Sequence, residues 1–190
     1  MTKIGILAVQ GAFVEHQRML ERLGTECFEI RKPDDLCKKM DGLILPGGES
    51  TVMSKLLREL NLSGPINKMI LKGLPVMGTC AGSILLAKNV IGGETHFSTF
   101  PMTIQRNAYG RQLSSFETKS EFDGKSDTPM IFIRAPAIVD IGNDVEMLAH
   151  VDDVPVAVRY KNQMAISFHP ELSKDTTVHS YFLDMIQDSQ

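Results

Sequence analysis

Val76-Met77-Gly78-Thr79-Cys80-Ala81-Gly82-Ser83-Ile84-Leu85-Leu86-Ala87 passes from an apolar strand, through a turn bracketed by two glycines, into an apolar helix. Residues 74–77 read as the strand and residues 81–89 as the helix. A short, nearly continuous apolar strand is one buried on both faces, as in a parallel sheet covered by helices. The same grammar repeats on the N-terminal side. Residues 3–9 form an apolar strand, and residues 12–23 a helix with Phe13, His16, Met19, Leu20 and Leu23 at helical spacing. Gly24 stands where a helix-ending glycine belongs. Residues 26–30 and 42–45 read as strands, with a short helix starting at Pro33 between them. Ser50 or Thr51 is the expected cap of a helix running to about Leu60, and residues 67–71 are a further helical piece. Strand alternating with helix predicts a parallel sheet with right-handed crossovers.

The second half changes character. Residues 103–106, 114–119, 130–133, 145–149, 154–160 and 164–168 are short strand-like runs with few helices between them, and residues 177–186 close the chain as a helix. They predict antiparallel strands added beside the parallel core. The expected fold is therefore α/β: a three-layer, flavodoxin-like sheet, mostly parallel, with antiparallel additions. No linker or repeat interrupts it, so residues 1–190 read as one domain.

Composition narrows the function. Lys plus Arg number 20 and Asp plus Glu 23, a net charge of −3, which argues against a non-specific nucleic-acid binder. No apolar run approaches the ~20 residues of a membrane helix. The strand that begins at Lys3 leaves no space for a signal peptide. Cys27, Cys37 and Cys80 are odd in number and widely spaced, so neither a disulfide framework nor a C-x-x-C metal site is expected. The expected setting is the reducing cytoplasm, with no cofactor, metal, nucleic acid or membrane partner.

Three motifs carry chemistry. Gly78-Thr79-Cys80-Ala81-Gly82 has the form of a nucleophile elbow. Cys80 falls at a helix N-terminus, where a thiolate is favoured, and the Ala81 amide is placed to meet an oxygen that turns negative during attack on a carbonyl. A buried structural cysteine is the plainer alternative. The second motif is Ser167-Phe168-His169-Pro170-Glu171. Side chains at i and i+2 of an extended segment point the same way, and Pro170 favours that geometry at His169. His169 is the expected base and Glu171 the carboxylate that orients it. The third is Leu45-Pro46-Gly47-Gly48-Glu49-Ser50-Thr51, in which adjacent glycines allow close approach and their amides can complete an oxyanion hole. It lacks the G-x-x-x-x-G-K-[ST] pattern of a phosphate loop. His16, on an apolar helix face, reads as structural; His96, His150 and His179 show no partner pattern.

Together these motifs resemble the class I, triad glutamine amidotransferases. Further segments narrow the resemblance: Val9-Gln10-Gly11-Ala12 with Glu15-His16, Arg106-Asn107 with Tyr109-Gly110-Arg111-Gln112, Ser115-Phe116-Glu117, and Phe132-Ile133-Arg134-Ala135-Pro136. These are similar to the glutaminase subunits of pyridoxal 5′-phosphate synthase, in order and over nearly the whole chain. Ser83, Ala108 and Tyr109 depart from the family's usual Leu, Ser and Phe, and residues 95–102 match poorly.

The resemblance implies hydrolysis of L-glutamine, with the ammonia delivered to a separate synthase subunit in a large hetero-oligomer. It implies that Cys80 is the nucleophile, His169 the base and acid, and Glu171 its partner. It places Gly47, Gly48 and Ala81 at the oxyanion, and Gly48, Glu49, Ser50, Arg106, Ile133 and Arg134 around glutamine. Gln10 is expected at the face that meets the synthase. Two alternatives stay open: the glutaminase of another amidotransferase, such as imidazole glycerol phosphate synthase, and a non-catalytic flavodoxin-like cysteine sensor.

Overall fold

The computed structural model describes residues 2–108 and 115–189. The first half builds β1 (Lys3–Leu7), α1 (Phe13–Arg22), β2 (Glu26–Ile30), β3 (Gly42–Leu45), α2 (Ser50–Glu59), α3 (Ser63–Leu71), β4 (Val76–Thr79) and α4 (Ala81–Leu86). The second half adds β5 (Ala87–Ile91), β6 (Phe100–Gln105), β7 (Ser115–Phe122), β8 (Lys125–Ile133), β9 (Ala137–Ile141), β10 (Glu146–Val151), β11 (Val154–Tyr160), β12 (Gln163–Ile166) and α5 (Thr177–Asp188). The central sheet runs β10-β11-β12-β4-β3-β1-β2. Its neighbours from β12 to β2 are parallel, while β10 and β11 continue it antiparallel.

Strands that are apolar at every position still alternate between faces. Leu43 and Leu45 of β3 pack with Met53 and Leu57 of α2, Ile66 of α3 and Leu85 of α4. Ile44, between them, packs with Leu20 of α1 and Phe182 and Ile186 of α5 on the other face. Helices cover both sides, which makes three layers. The small sheet β5-β6-β9 joins the first face through Phe100, Ile104 and Ile138. The β7–β8 hairpin joins the second through Phe122, Met130 and Phe132.

The structure corrects several sequence expectations. The helix expected to reach residue 89 ends at Leu86, and residues 87–91 are β5, paired with β6 from Ala87 to Ile91. The strand β9 was not expected at all; its exposed Val139 and Asp140 break the apolar run. β8 begins at Lys125 rather than 130, because the turn closes tightly at Asp123-Gly124 and the polar start of β8 pairs with β7. α3 begins four residues early, at Ser63. Residues 109–112, quoted in the family resemblance, and Ser114 lie outside the described residues.

Candidate active site

Four parallel strands, β1, β3, β4 and β12, end at the same edge of the sheet. Their C-terminal ends deliver Gln10, Gly47-Gly48, Cys80 and His169. Crevices outside the carboxyl ends of such strands are where α/β sheets hold ligands.

Cys80 stands between β4 and α4 with φ 48° and ψ −103°. A left-handed conformation in a residue other than glycine costs on the order of 1–3 kcal/mol and persists only where its surroundings impose it. The Cys80 amide donates to the Ile166 carbonyl at 2.7 Å, which ties the turn to β12. The flanking glycine at 82 is obligatory, because a Cβ there would run into the Leu45 carbonyl. Ser83 locks the same corner: its hydroxyl lies 2.7 Å from the Gly78 carbonyl and 2.8 Å from that of Ile166, and it accepts the Ile166 amide at 2.8 Å. The thiol is almost fully covered and approaches the Ile133 carbonyl at 4.0 Å.

His169 follows β12, and its amide donates to Ile131 of β8 at 2.8 Å. Glu171 lies on a 3₁₀ turn, Pro170–Leu172. Its Oε1 receives His169 Nδ1 at 2.7 Å, and both side chains are buried. Burial disfavours the imidazolium, but hydrogen bonding to Cys80 and Glu171 outweighs it and pushes the His169 pKa up to about 10. Burial likewise opposes ionisation of Glu171; His16 and His169 outweigh it and hold the carboxyl below its usual range.

On the β3 side, the Gly47 carbonyl accepts the Ala12 amide at 2.9 Å. The peptide is trans, so the Gly48 N–H points away from Ala12. Gln10 Oε1 accepts the Glu49 amide at 2.9 Å. The cap of α2 is Glu49, not Ser50 or Thr51: its carboxylate accepts Thr51 N–H at 3.2 Å and Val52 N–H at 2.8 Å. A carboxylate takes two amides at once and complements the positive end of the helix, which a hydroxyl does less well. Glu49 also pairs with Arg106 at 3.0 Å.

These pieces surround one cavity of about 570 Å³. Gln10, Gly47, Gly48, Glu49, Ser50, Cys80, Ala81, Arg106, Ile133, Arg134 and His169 all line it. Glu171 does not; it sits behind His169. Asn107 and Leu172 line the cavity as well; Asn107 fell within a segment of the family resemblance, but neither residue was assigned a role. Among the described residues no cluster of three or more His, Cys, Asp or Glu could hold a metal ion, and no helix is long and apolar enough to cross a membrane.

Residues 6–188 match the model of the SNO glutamine amidotransferase family. The chain belongs to that family. It is 59% identical over 184 residues to a Methanocorpusculum labreanum protein named pyridoxal 5′-phosphate synthase subunit PdxT, with 97% of each chain covered. A Streptococcus pneumoniae protein of the same name is 53% identical over 192 residues, with 99% of each covered. A solved structure described as a glutamine amidotransferase superposes with a TM-score of 0.91 at 42% identity, over 97% of this chain and 98% of that one. The structure of PurLQS from Thermotoga maritima shares the fold, at a TM-score of 0.62 and 17% identity over 99% of this chain and 96% of that one.

Within this SNO-family chain, two histidines play a larger part than their sequence context indicated. His16 is fully buried with Nε2 3.5 Å from Glu171 Oε2, and its Nδ1 lies 2.9 Å from Nε2 of His179. His179 was read as partnerless because its neighbour comes from the other end of the chain. His96 also has partners, Ser54 at 2.8 Å and Ser63 at 3.1 Å. Helical spacing and the Glu15-His16 segment of the family resemblance marked His16, and neither signal separates a core histidine from one that approaches a carboxylate.

Proposed function

We propose that the chain is a glutaminase that hydrolyses L-glutamine and supplies ammonia to the synthase subunit of pyridoxal 5′-phosphate synthase. The observation that carries the reading is the meeting, in one cavity, of an elbow cysteine, a histidine backed by a buried glutamate and a glycine-lined strand end. Family membership and the full-length likeness to proteins named PdxT support the substrate and the partner. Three unpaired cysteines suit the cytoplasm, where we place it.

Glutamine's γ-amide lies against Cys80, with its α-carboxylate toward Arg106 or Arg134. The Cys80 sulfur attacks the amide carbon, and the carbonyl oxygen becomes an oxyanion received by the Gly48 and Ala81 amides. One such preorganised donor contributes about 3 kcal/mol to the transition state. His169 carries the proton that the departing ammonia needs, and its raised pKa keeps that proton in place at neutral pH. A γ-glutamyl thioester remains on Cys80. His169, now neutral, takes a proton from water, the hydroxide attacks the thioester carbon, and the carbon–sulfur bond breaks to release glutamate and restore the Cys80 thiolate beside protonated His169. Glu171 holds the ring and balances its charge throughout. Ser50 and Ile133 complete the walls around glutamine, and Gln10 lies at the face turned to the synthase, with which the chain works in a hetero-oligomer.

Glutamate and ammonia release are measured on wild type and Cys80→Ala with the synthase subunit present. The expected result is a loss of at least ~10³-fold with circular dichroism unchanged. A Cys80→Ala protein near the wild-type rate would overturn the reading.

A further inference from the structure

We propose that His16, backed by His179, is a positioning residue that holds the Glu171 carboxylate by donating its Nε2–H toward Oε2, the oxygen that His169 leaves unused. The proposal rests on the reading of Cys80, His169 and Glu171 as the catalytic triad.

Four elements converge on this spot. His16 comes from α1, Thr79 from the end of β4, His179 from α5 and Glu171 from the 3₁₀ turn after β12. His16 and His179 are fully buried and Glu171 is 5% exposed, so no solvent satisfies their polar atoms. Glu171 Oε1 is taken by His169 at 2.7 Å. Among the described residues Oε2 is buried with no hydrogen-bond partner. His16 Nε2 lies 3.5 Å from it and 3.0 Å from the Thr79 hydroxyl. A buried carboxylate oxygen left without a donor is costly, so the proton on His16 matters.

Counting protons decides where that proton sits. His16 Nδ1 and His179 Nε2 are 2.9 Å apart, so one nitrogen donates and the other accepts. Among the described residues His179 Nδ1 is buried with no partner. If His16 carried its proton on Nδ1, His179 would accept at Nε2 and bury an orphaned Nδ1–H. The His16 Nε2 lone pair would then accept the Thr79 hydroxyl and face the Glu171 carboxylate with no proton between them. In the other arrangement His179 Nε2–H donates to His16 Nδ1, and His16 Nε2–H is directed at Thr79 and Glu171. Only an acceptor lone pair on His179 is then left unmet, which is the smaller cost. Both rings remain neutral, because burial pushes both pKa values down. The charged and titratable groups facing His16 are Glu171, His169, His179 and Glu15. His179 thus sets the tautomer of His16, His16 steadies Glu171, and Glu171 orients His169.

The test uses the full chain with its synthase subunit and compares wild type, His16→Leu, His16→Gln and Cys80→Ala. Leucine removes the donor, whereas the glutamine amide puts an N–H close to the position of Nε2. For His16→Leu the expected result is kcat lower by about tenfold or more with KM little changed. The acid limb of the pH profile should move up by about one unit, because a carboxylate that loses a donor is easier to protonate. His16→Gln should recover most of the rate. A folded His16→Leu protein with wild-type kcat and acid limb overturns the proposal. So do Leu and Gln variants slowed equally with an unmoved limb, which is the mark of packing alone. Activity in Cys80→Ala would instead remove the triad reading itself. Nitrogen-15 spectra of the histidines in the wild-type protein decide the matter if His16→Leu does not fold. They should show neutral His16 protonated on Nε2, and protonation on Nδ1 overturns the proposal.

Discussion

At the scale of single residues, His169 is the group whose protonation matters most. Its pKa of about 10 lies well above the 6.5 of an unfolded histidine. Between those values the native state binds a proton that the unfolded chain releases, so stability from this group is complete below 6.5 and lost as pH rises toward 10. His16 and His179 act in the opposite sense. Their lowered pKa values mean that unfolding takes up protons once the pH falls below 6.5. Glu171→Gln removes a charge that supports the His169 proton. We expect the His169 ring resonance to titrate at lower pH in this variant, and urea midpoints to decline less steeply between neutral pH and 10 than in wild type. An unchanged ring titration would mean that Cys80, rather than Glu171, supports the proton. Cys80 itself illustrates how a chemical residue is held: its left-handed backbone is imposed by Ile166 on one side and by the glycine at 82 on the other.

At the scale of elements, the β3–α2 turn and the β12 end are fitted to each other through Gly47. A Cβ at Gly47 would strike His169 Cε1 and lie 3.0 Å from its Nδ1. The ring cannot swing away without breaking its bond to Glu171. Gly47→Ala should therefore cost about a hundredfold or more in kcat, since a reacting group displaced by about 1 Å loses that much. Stability should change little by comparison, and thermal melting alongside glutaminase kinetics checks both. At Gly48 the added carbon meets the Gln10 amide oxygen, which holds the Glu49 amide, and lies 3.1 Å from the Gly11 backbone, so Gly48→Ala should also slow the enzyme. A Gly47→Ala enzyme as fast as wild type would show that the loop backs away from the ring. Among the elements, those with a strong local signal were legible in the sequence: the apolar strands β1, β3 and β4, and the glycine-bracketed turn before α4. The β5 and β9 strands were not, because residues 87–91 and 137–141 mix exposed polar and apolar positions and are organised by pairing with β6. The Glu49 cap was hidden for a similar reason, since two hydroxyl residues follow it directly.

At the scale of the whole molecule, the site touches every layer, so a partner could act on it through the loops at the sheet edge. Gln10 is the evident lever: its side chain holds the Glu49 amide and lies against Gly48. The Gly47–Gly48 peptide lies between two glycines, so turning it over costs little beyond its hydrogen bond from the Ala12 amide, and its orientation decides whether the oxyanion meets an amide or a carbonyl. We expect the isolated chain to hydrolyse glutamine slowly and the synthase subunit to raise the rate by about a hundredfold, the worth of one oxyanion donor. Steady-state rates with and without the synthase test this. Equal rates would remove the switch and leave the glutaminase intact.

What the sequence determined by itself was local: apolar runs that fit a buried parallel sheet, a cysteine between glycines, and a His-Pro-Glu step whose i and i+2 side chains share a direction. Those signals name Cys80, His169 and Glu171 without any tertiary information, because each depends on neighbours within a few residues. What only the tertiary structure decided was which distant groups meet. His16 on α1 and His179 on α5 come from opposite ends of the chain, and each alone looks like an ordinary core histidine. The row from His179 through His16 to Glu171 exists because β4 and β12 are adjacent in the sheet and α1 and α5 cover the same face. Hydrogen bonds across such a junction leave no periodicity behind, so burial and proton accounting, not pattern, bring them to light.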